Sequence, residues 1–354
     1  NIVKGEPTDA KATLLLGKVL WQLRNSKEIE NAMQDGFTTL LKAAKLDPYN
    51  CESFLYLGYF YNTVQQDTVK ARRCFQKAYD LNPGNEEVGS AFVDLLMELK
   101  EEPQSLKILE IVTNKAAAGS AKWAWLRLGL YQIKHENPTM AIMSLQSALR
   151  ADTNDCHVWE CLADAYLQRG SLTASLKAFT RASELDPQSL YCLYQVANIK
   201  QTLGSLTEAI QEYKHILDKS DNYVPALKGV GESLILLAKR NLSRCLDGLA
   251  KDNFEEAIGS LTRAASQRPD LSCLWKLLGD ASTFTYCLSA DSFSIPSKLV
   301  DKGSHENLLK NVTKAELLQI GARCYSQAVR ILQDNGSVWH DLSVNLYYQS
   351  QLTT

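Results

Sequence analysis

The sequence predicts an all-α fold in which similar helix pairs stack into a solenoid. Three observations support this class: a 34-residue unit at 156–189 carries two amphipathic stripes, the unit recurs along the chain, and helix-start residues repeat every 34 positions. The regularly spaced start residues are Asn137, Ser171 and Ser205. Because each unit of such an array contacts only its neighbours, the fold can extend over 354 residues without one large core.

The unit at 156–189 has the pattern of two packed helices. Gly170 ends the first, Ser171 can accept hydrogen bonds from the N–H groups that open the second, and Pro187 stops the second. The apolar and small residues at helical spacing are Trp159, Leu162, Ala163 and Tyr166, then Ser175, Phe179 and Ala182. This spacing resembles the tetratricopeptide repeat, and the resemblance implies a right-handed superhelical solenoid.

We expect a single array over 1–354. The predicted repeats cover about 10–50, 51–85, 86–121, 122–155, 156–189, 190–223, 224–271, 272–335 and the partial 336–354. The first repeat has seven extra residues at 25–31, and the third is the weakest match because Gly89 stands where the pattern has an aromatic residue. In the sixth, Ser205 with Glu208 predicts a capping box at the start of the second helix.

The seventh repeat contains an insertion of 14 residues, because the next start signal, Asn253 with Glu256, lies 48 residues after Ser205 instead of 34. The added residues keep apolar side chains at helical spacing and contain no proline. The sequence therefore predicts a lengthened first helix from Val224 to Ala250. At 1.5 Å per residue this helix would be about 40 Å long and would project past the stack.

The eighth repeat contains an insertion of 30 residues, and we interpret 282–312 as a partly ordered loop. Thr313 with Glu316 then predicts a capped helix. Trp339 opens a ninth repeat that ends after a single helix. An array cut within a repeat exposes apolar surface, so this end, like the start at Asn1, predicts a piece of a longer protein.

The composition excludes some partners and favours an intracellular protein. The 38 basic and 40 acidic residues give a net charge of −2, which provides no long-range field to attract nucleic acid or an anionic membrane. Nine cysteines without a Cys-x-x-Cys pair are typical of reduced, buried thiols. The chain has no apolar run as long as a membrane span.

The sequence contains no catalytic or metal-binding motif that we can identify. It has no phosphate-binding loop, and His305 with Glu306 lacks the second histidine of a zinc-protease motif. The histidines are scattered over different repeats, at His135, His157, His215, His305 and His340. We therefore expect no enzyme, no metal site and no cofactor.

The first helix of each repeat would line a concave groove, and the residues at its second, fifth, ninth and twelfth positions are candidate binding residues. Aromatic side chains among polar neighbours can bind an extended peptide or a helix of another protein. The alternative is that this face is only solvated or packs within the chain. The candidates are Tyr59, Trp123, Tyr191, Tyr194, Asn198, Lys228 and Glu232.

One groove chemistry of tetratricopeptide proteins can be compared directly. Chaperone-binding members hold a terminal carboxylate with lysine and asparagine at the fifth and ninth positions of one repeat. Here those positions hold Leu55 with Tyr59, Glu160 with Asp164, and Lys228 with Glu232. Acidic side chains at these places would repel a carboxylate, so we expect no carboxylate clamp.

The chain also resembles a narrower family. The run ARRCFQKAYDLNPGN at 71–85, the run WECLADAYLQRGSLTASLKAFTRASELDP at 159–187 and the two long insertions are similar to the scaffold subunits of animal superkiller complexes. That resemblance implies a non-enzymatic scaffold that carries an RNA helicase and WD-repeat subunits. It implies a role in exosome-dependent decay of RNA from the 3′ end, in the cytoplasm and with nuclear material as well, with RNA contacting this chain at most indirectly.

Three functions remain open from the sequence. The first is a scaffold in a multi-subunit assembly, which the lengthened helix and the loop insertion favour because they add contact surface without adding chemistry. The second is a peptide-binding adaptor, for which the aromatic groove residues would matter most. The third is the regulatory array of a larger enzyme whose catalytic domain lies elsewhere.

Overall fold

The computed structural model describes residues 9–23, 32–300 and 309–353. Its regular structure is α-helical apart from one two-stranded sheet, which confirms the all-α class of tandem helix pairs. The chain divides into two compact units, Asn1–Arg169 (unit 1) and Gly170–Thr354 (unit 2). The extra residues predicted at 25–31, together with His305, lie outside the described residues.

Unit 1 consists of consecutive helices of 13 to 15 residues. They are α1 (Ala10–Gln22), α2 (Ala32–Leu46), α3 (Cys51–Thr63), α4 (Thr68–Leu81), α5 (Glu86–Glu98), α6 (Glu102–Lys115), α7 (Lys122–Lys134), α8 (Pro138–Ala151) and α9 (Cys156–Gln168). Several starts are fixed by a polar side chain that accepts a hydrogen bond from the first turn, at Asp9, Asn50, Asp67, Asn85 and Asp155.

Glycines let the helices of unit 1 approach closely, and Gly58 and Gly89 are two examples. A Cβ atom on Gly58 of α3 would lie 2.6 Å from the ring of Phe75 on α4, and Phe75 is buried. A Cβ atom on Gly89 of α5 would lie 2.5 Å from the ring of Trp123 on α7. The absent aromatic at Gly89, which weakens the third repeat in sequence, is therefore compensated by an aromatic side chain from the next repeat.

Unit 2 begins with helices of ordinary length and then departs from the pattern. Its elements are α10 (Leu172–Leu185), α11 (Leu190–Thr202), α12 (Leu206–Lys219), α13 (Val224–Leu242), α14 (Asp247–Gln267), α15 (Ser272–Phe284), a 3₁₀ turn (Thr285–Cys287), β1 (Ser292–Pro296), α16 (Ser297–Val300), β2 (Leu309–Thr313), α17 (Lys314–Ile331) and α18 (Gly336–Thr353). A continuous apolar core joins α12, α13, α14, α15, both strands and α17.

The prediction of one lengthened helix from Val224 to Ala250 is wrong. The chain turns after Leu242, with Cys245 in a left-handed conformation at φ 57°, and α14 starts at Asp247. The insertion is thus shared by both helices of the pair, and Asn253 lies inside α14 instead of starting it. Sharing the extra turns lets Ala238 and Ala250 bury against the partner helix, whereas a single projecting helix would leave its apolar residues in water.

The predicted loop at 282–312 is more ordered than expected where the structure describes it. α15 continues to Phe284, and β1 pairs antiparallel with β2 so that Ser292 faces Thr313 and Pro296 faces Leu309. Phe293 and Ile295 of β1 alternate inward and are buried in the core of unit 2. The all-α array therefore carries a small β-hairpin.

The two capping-box predictions have different outcomes. Thr313 accepts a hydrogen bond from the N–H of Glu316, and the Glu316 carboxylate accepts one from the N–H of Thr313, so this box is confirmed. α12 begins after Ser205 as predicted, but Ser205 makes no side-chain cap hydrogen bond, so that box is absent. Glu208 instead lies 3.4 Å from the ammonium of Lys200.

Candidate protein-binding surface

The candidate Tyr59 of unit 1 lies in an aromatic cluster. Its ring stacks on Trp21 at 6.4 Å between centroids and meets the edge of Phe75 at 5.4 Å. Burial, with a contribution from the Glu87 carboxylate, raises the pKa of Tyr59 to about 12. Tyr59 is half-buried, so its ring serves mainly to pack α1, α3 and α4, and only part of it is open to a partner.

Trp123 was predicted on the binding face, but the structure places it in the core of unit 1. Only 7% of its surface is exposed, and it packs over Gly89 beside Val93 and Leu109. The sequence pattern could not indicate this, because the space that Trp123 fills exists only where the neighbouring repeat has a glycine. Trp123 is thus a packing residue.

Charged side chains on the first helices of unit 1 pair with one another between repeats. Arg127 on α7 forms a bidentate ion pair with Asp94 on α5, with nitrogen–oxygen distances of 2.7 and 2.6 Å. Lys18 on α1 lies 2.6 Å from Glu52 on α3. These groups complete their own hydrogen bonding within unit 1, so they offer little to a ligand.

In unit 2, α11 presents Tyr191, Tyr194 and Asn198 on one face, as their spacing predicts. Tyr191 is 39% exposed, and its ring meets the edge of Phe179 at 6.0 Å. Tyr194 packs more deeply, 5.9 Å from the ring of Tyr213. The Asn198 side chain makes no hydrogen bond to any described residue and is partly exposed. Tyr191 and Asn198 are therefore the accessible members of this group.

Lys228 and Glu232 lie one turn apart on α13, and α13 packs against α11. Burial raises the pKa of Tyr194, and Tyr223 and the Glu232 carboxylate raise it further, so Glu232 lies close enough to act on α11. Lys228 forms no ion pair or hydrogen bond with any described residue. Lys228 and Glu232 thus lie beside the candidate residues of α11, and the ammonium of Lys228 is available to a partner.

Sequence reasoning missed Gln195, which lies on the same face of α11 as Tyr191 and Asn198. Its Oε1 atom is buried and has no hydrogen-bond partner among the described residues. A buried acceptor of this kind costs about 1 to 3 kcal/mol. The helical spacing from Tyr191 could have indicated the position, but only the packing reveals that the acceptor is unsatisfied. We call Tyr191, Gln195, Asn198 and Lys228 the α11–α13 face.

Further along unit 2, the corresponding residues of α15 are already paired. Lys276 lies 3.4 Å from Asp280 and 3.1 Å from Asp341 of α18. Although burial opposes it, these two carboxylates raise the pKa of Lys276. Asp280 also accepts a hydrogen bond from Tyr325 at 2.7 Å. This network joins α15, α17 and α18, so the polar groups of α15 are already engaged within unit 2.

The described residues contain no group of three or more His, Cys, Asp or Glu side chains placed to hold a metal ion. Cys161 lies 3.8 Å from a ring nitrogen of His157, but burial raises the pKa of this thiol to about 12, so it stays protonated at neutral pH. The same residues include no helix with the length and apolar character of a membrane span.

The comparisons with known proteins agree with the repeat pattern. A family model described as tetratricopeptide repeat matches residues 126–190. Tetratricopeptide repeat protein 37 of Xenopus laevis is 46% identical over 98% of this chain, and Superkiller complex protein 3 of Homo sapiens is 44% identical over 95% of it. The Schizosaccharomyces pombe relative, Superkiller protein 3, is 28% identical over 75% of it. This chain spans 22%, 21% and 19% of these relatives.

Solved structures support the fold alone. The C-terminal part of a tetratricopeptide-repeat protein from Cytophaga hutchinsonii superposes with a TM-score of 0.53 at 12% identity, over 76% of this chain and 99% of that one. The Pseudomonas aeruginosa protein pilF superposes with a TM-score of 0.51 at 16% identity, over 61% of this chain and 94% of that one. Repeated helix pairs, the family match and these structures all indicate the same solenoid class.

Proposed function

We propose that this tetratricopeptide-repeat protein, whose curated homologues are named Superkiller complex protein 3, is part of a non-catalytic scaffold that holds other protein subunits in a superkiller complex. The observation that carries the proposal is the 44% identity to the human relative over 95% of this chain. The chain covers about a fifth of that relative, so the proposal concerns the role of the whole protein.

The subunits that we propose as partners are an RNA helicase and WD-repeat proteins. The assembly would assist the exosome in decay of messenger RNA from the 3′ end, in the cytoplasm and also in the nucleus. A net charge of −2 supports protein contacts over direct contacts to RNA, because the chain offers no excess of cations to neutralise phosphates.

We assign one protein contact to the α11–α13 face. The ammonium of Lys228 and the side-chain amide of Asn198 are unpaired among the described residues, and the half-exposed ring of Tyr191 supplies apolar area beside them. Aromatic groups bordered by unpaired polar groups are typical of interface centres. A partner segment with a carboxylate and an apolar side chain would satisfy these groups.

The test is affinity capture of the full-length protein from cytosol, followed by mass spectrometry, for the natural protein and for Lys228→Glu combined with Asn198→Leu. Recovery of a helicase with WD-repeat proteins by the natural protein, and loss of one subunit by the variant, would support both the scaffold and the contact. The matched control is Lys177→Glu on α10, which reverses an exposed charge of unit 2 that does not belong to this face and should retain every subunit.

The same experiment contains the outcomes that would contradict the proposal. Capture of heat-shock chaperones or of a single peptide ligand, without a helicase, would identify an adaptor. A catalytic domain in the same polypeptide, with activity that depends on this segment, would identify a regulatory array. If the helicase complex is captured equally by the natural protein and the variant, the scaffold stands and the α11–α13 contact is refuted.

A further inference from the structure

The two insertions of unit 2, which belong to the consecutive seventh and eighth repeats, pack against each other. The Ser289 hydroxyl donates to the Asp247 carboxylate at 2.8 Å, and the Ser294 N–H of β1 donates to the Glu255 carboxylate at 2.7 Å. Both acceptors belong to α14, the second helix of the lengthened pair. The β-hairpin is therefore held against α14 by polar contacts and by the buried ring of Phe293.

A cavity of about 630 Å³ lies between α14 and the hairpin. This volume falls within the range of pockets that bind small ligands or side chains. Gly259 of α14 borders the cavity, and a Cβ atom on Gly259 would meet no atom within 4 Å. Among the described residues, Pro296 and the 67%-exposed Leu309 supply apolar wall.

The charges along the cavity change sign from one end of α14 to the other. Asp252 and Glu256 line it toward the start of the helix, and Arg263 lines it toward the end. Glu256 and Arg263 already have partners, since Lys214 lies 2.5 Å from Glu256 and Arg263 donates to the Asp221 carbonyl. Asp252 and Lys298 are exposed and form no ion pair with any described residue. One anionic and one cationic group thus remain available.

We propose that this cavity binds an extended segment of a partner protein that carries a basic residue and an acidic residue on either side of small apolar residues. Along α14, the unpaired Asp252 precedes Arg263 by about 16 Å at the helical rise of 1.5 Å per residue. Arg263 has further N–H groups besides the one that donates to the Asp221 carbonyl. An extended peptide advances about 3.3 Å per residue, so charges four residues apart span about 13 Å. This site is separate from the α11–α13 face, and it does not depend on the superkiller assignment.

The probe is a fluorescein-labelled peptide, Gly-Lys-Val-Ala-Leu-Glu-Gly-amide, whose binding to the purified chain is measured by fluorescence anisotropy. Two control peptides replace the charged pair by two lysines or by two glutamates. We expect the mixed peptide to bind up to about fivefold more tightly than either control, because each control loses one exposed ion pair worth up to about 1 kcal/mol.

The chain supplies a matched pair of variants for the site. Gly259→Leu would place a Cβ atom where no other atom lies within 4 Å and would extend an apolar side chain from the cavity wall. We expect this variant to bind the mixed peptide at least about tenfold more weakly. Gly248→Leu lies on the same helix, also points into open space and does not border the cavity, so its affinity should stay unchanged. Both replace glycine in a helix by a better helix former, so both should fold, which circular dichroism checks.

Three results would overturn the proposal. The first is a dissociation constant for the mixed peptide weaker than about 1 mM. The second is equal binding of the mixed and same-sign peptides, which would mean that the charges do not orient a ligand. The third is retention of full affinity by Gly259→Leu, which would place the peptide elsewhere on the chain.

Discussion

The first helices of the two units carry similar residue types but use them differently. In unit 1, Arg127 pairs with Asp94 and Lys18 pairs with Glu52, in both cases with a side chain of another repeat. In unit 2, Asn198 and Lys228 have no such partner among the described residues. The comparison shows that position in the repeat does not by itself identify a binding residue, because a neighbouring repeat can already satisfy it.

The units also differ in how they accommodate departures from the repeat. Unit 1 compensates the missing aromatic at Gly89 by a ring from α7, so the repeat keeps its ordinary size. Unit 2 instead accepts two insertions, which pack on each other and create a cavity. We therefore expect substitutions in unit 1 to act mainly on stability and substitutions in unit 2 to act more often on binding.

The largest expected effect tests the packing role of Trp123. Trp123→Ala should lower the free energy of unfolding by about 3 to 5 kcal/mol, because it empties the space over Gly89 in a buried core. Trp339→Ala is the control: this ring is 53% exposed, so its loss should cost less than about 1 kcal/mol. Denaturant unfolding measures both. Similar losses would mean that Trp123 is not a core residue.

The second prediction concerns the buried polar contact that holds α18. Asn345 donates to the Thr283 hydroxyl at 2.7 Å and accepts from Gln349, and it is fully buried. Asn345→Ala should cost about 1 to 3 kcal/mol, because the partner groups would stay buried without hydrogen bonds. Ser343→Ala on the exposed side of α18 should change stability by less than about 0.5 kcal/mol. Thermal unfolding compares the two variants.

The third prediction compares a paired cation of unit 1, Arg127, with an unpaired cation of unit 2, Lys228. Arg127→Gln should cost about 0.5 to 1 kcal/mol, because it breaks a partly exposed ion pair, and raising the salt concentration should shrink that difference. Lys228→Gln should change stability by less than about 0.5 kcal/mol at any salt concentration, since this ammonium is unpaired. Denaturant unfolding measures both variants. If both lose the same free energy of unfolding with the same dependence on salt, Lys228 is paired as Arg127 is, and the contrast between the two units is refuted.

The smallest expected effect at neutral pH concerns the Tyr59 hydroxyl, whose contribution changes only in alkaline solution. Burial raises its pKa from 10.0 to about 12, so the folded state prefers the neutral phenol. That preference is fully present below pH 10 and is lost as the pH rises through about 12. Tyr59→Phe should therefore flatten the loss of stability in this window, and phenolate absorbance should show one fewer late-titrating tyrosine. An unchanged slope would mean that Tyr59 is not protected.

The fold class and many helix starts could be predicted from the sequence, whereas features that depend on pairwise compensation could not. Asn137, Ser171 and Ser205 directly precede helices as predicted, although none of the three makes a side-chain cap hydrogen bond. The turn at 243–246 was missed because its left-handed residue is Cys245, and glycine is the usual signal for that conformation. The strand β1 did have a signal, the alternation of Phe293 and Ile295, but it is only five residues long.

The candidate site was predicted in part. Five of the predicted residues lie on two helices of unit 2 that pack together, α11 and α13. They are Tyr191, Tyr194, Asn198, Lys228 and Glu232. Trp123 was assigned to the wrong environment, and Gln195 was missed. Both cases depend on what surrounds the side chain, which spacing along one helix does not determine.

The β-hairpin has a consequence for the rate of folding. α15 ends at Phe284 and its partner α17 begins at Lys314, whereas α3 ends at Thr63 and α4 begins at Thr68. Closing the longer connection costs about 2 kcal/mol more chain entropy. Pairing of β1 with β2 brings Ser292 opposite Thr313, at the start of α17, and so offsets part of that cost. We expect the α15–α17 pair to form later than the α3–α4 pair and to be the slow step of unit 2.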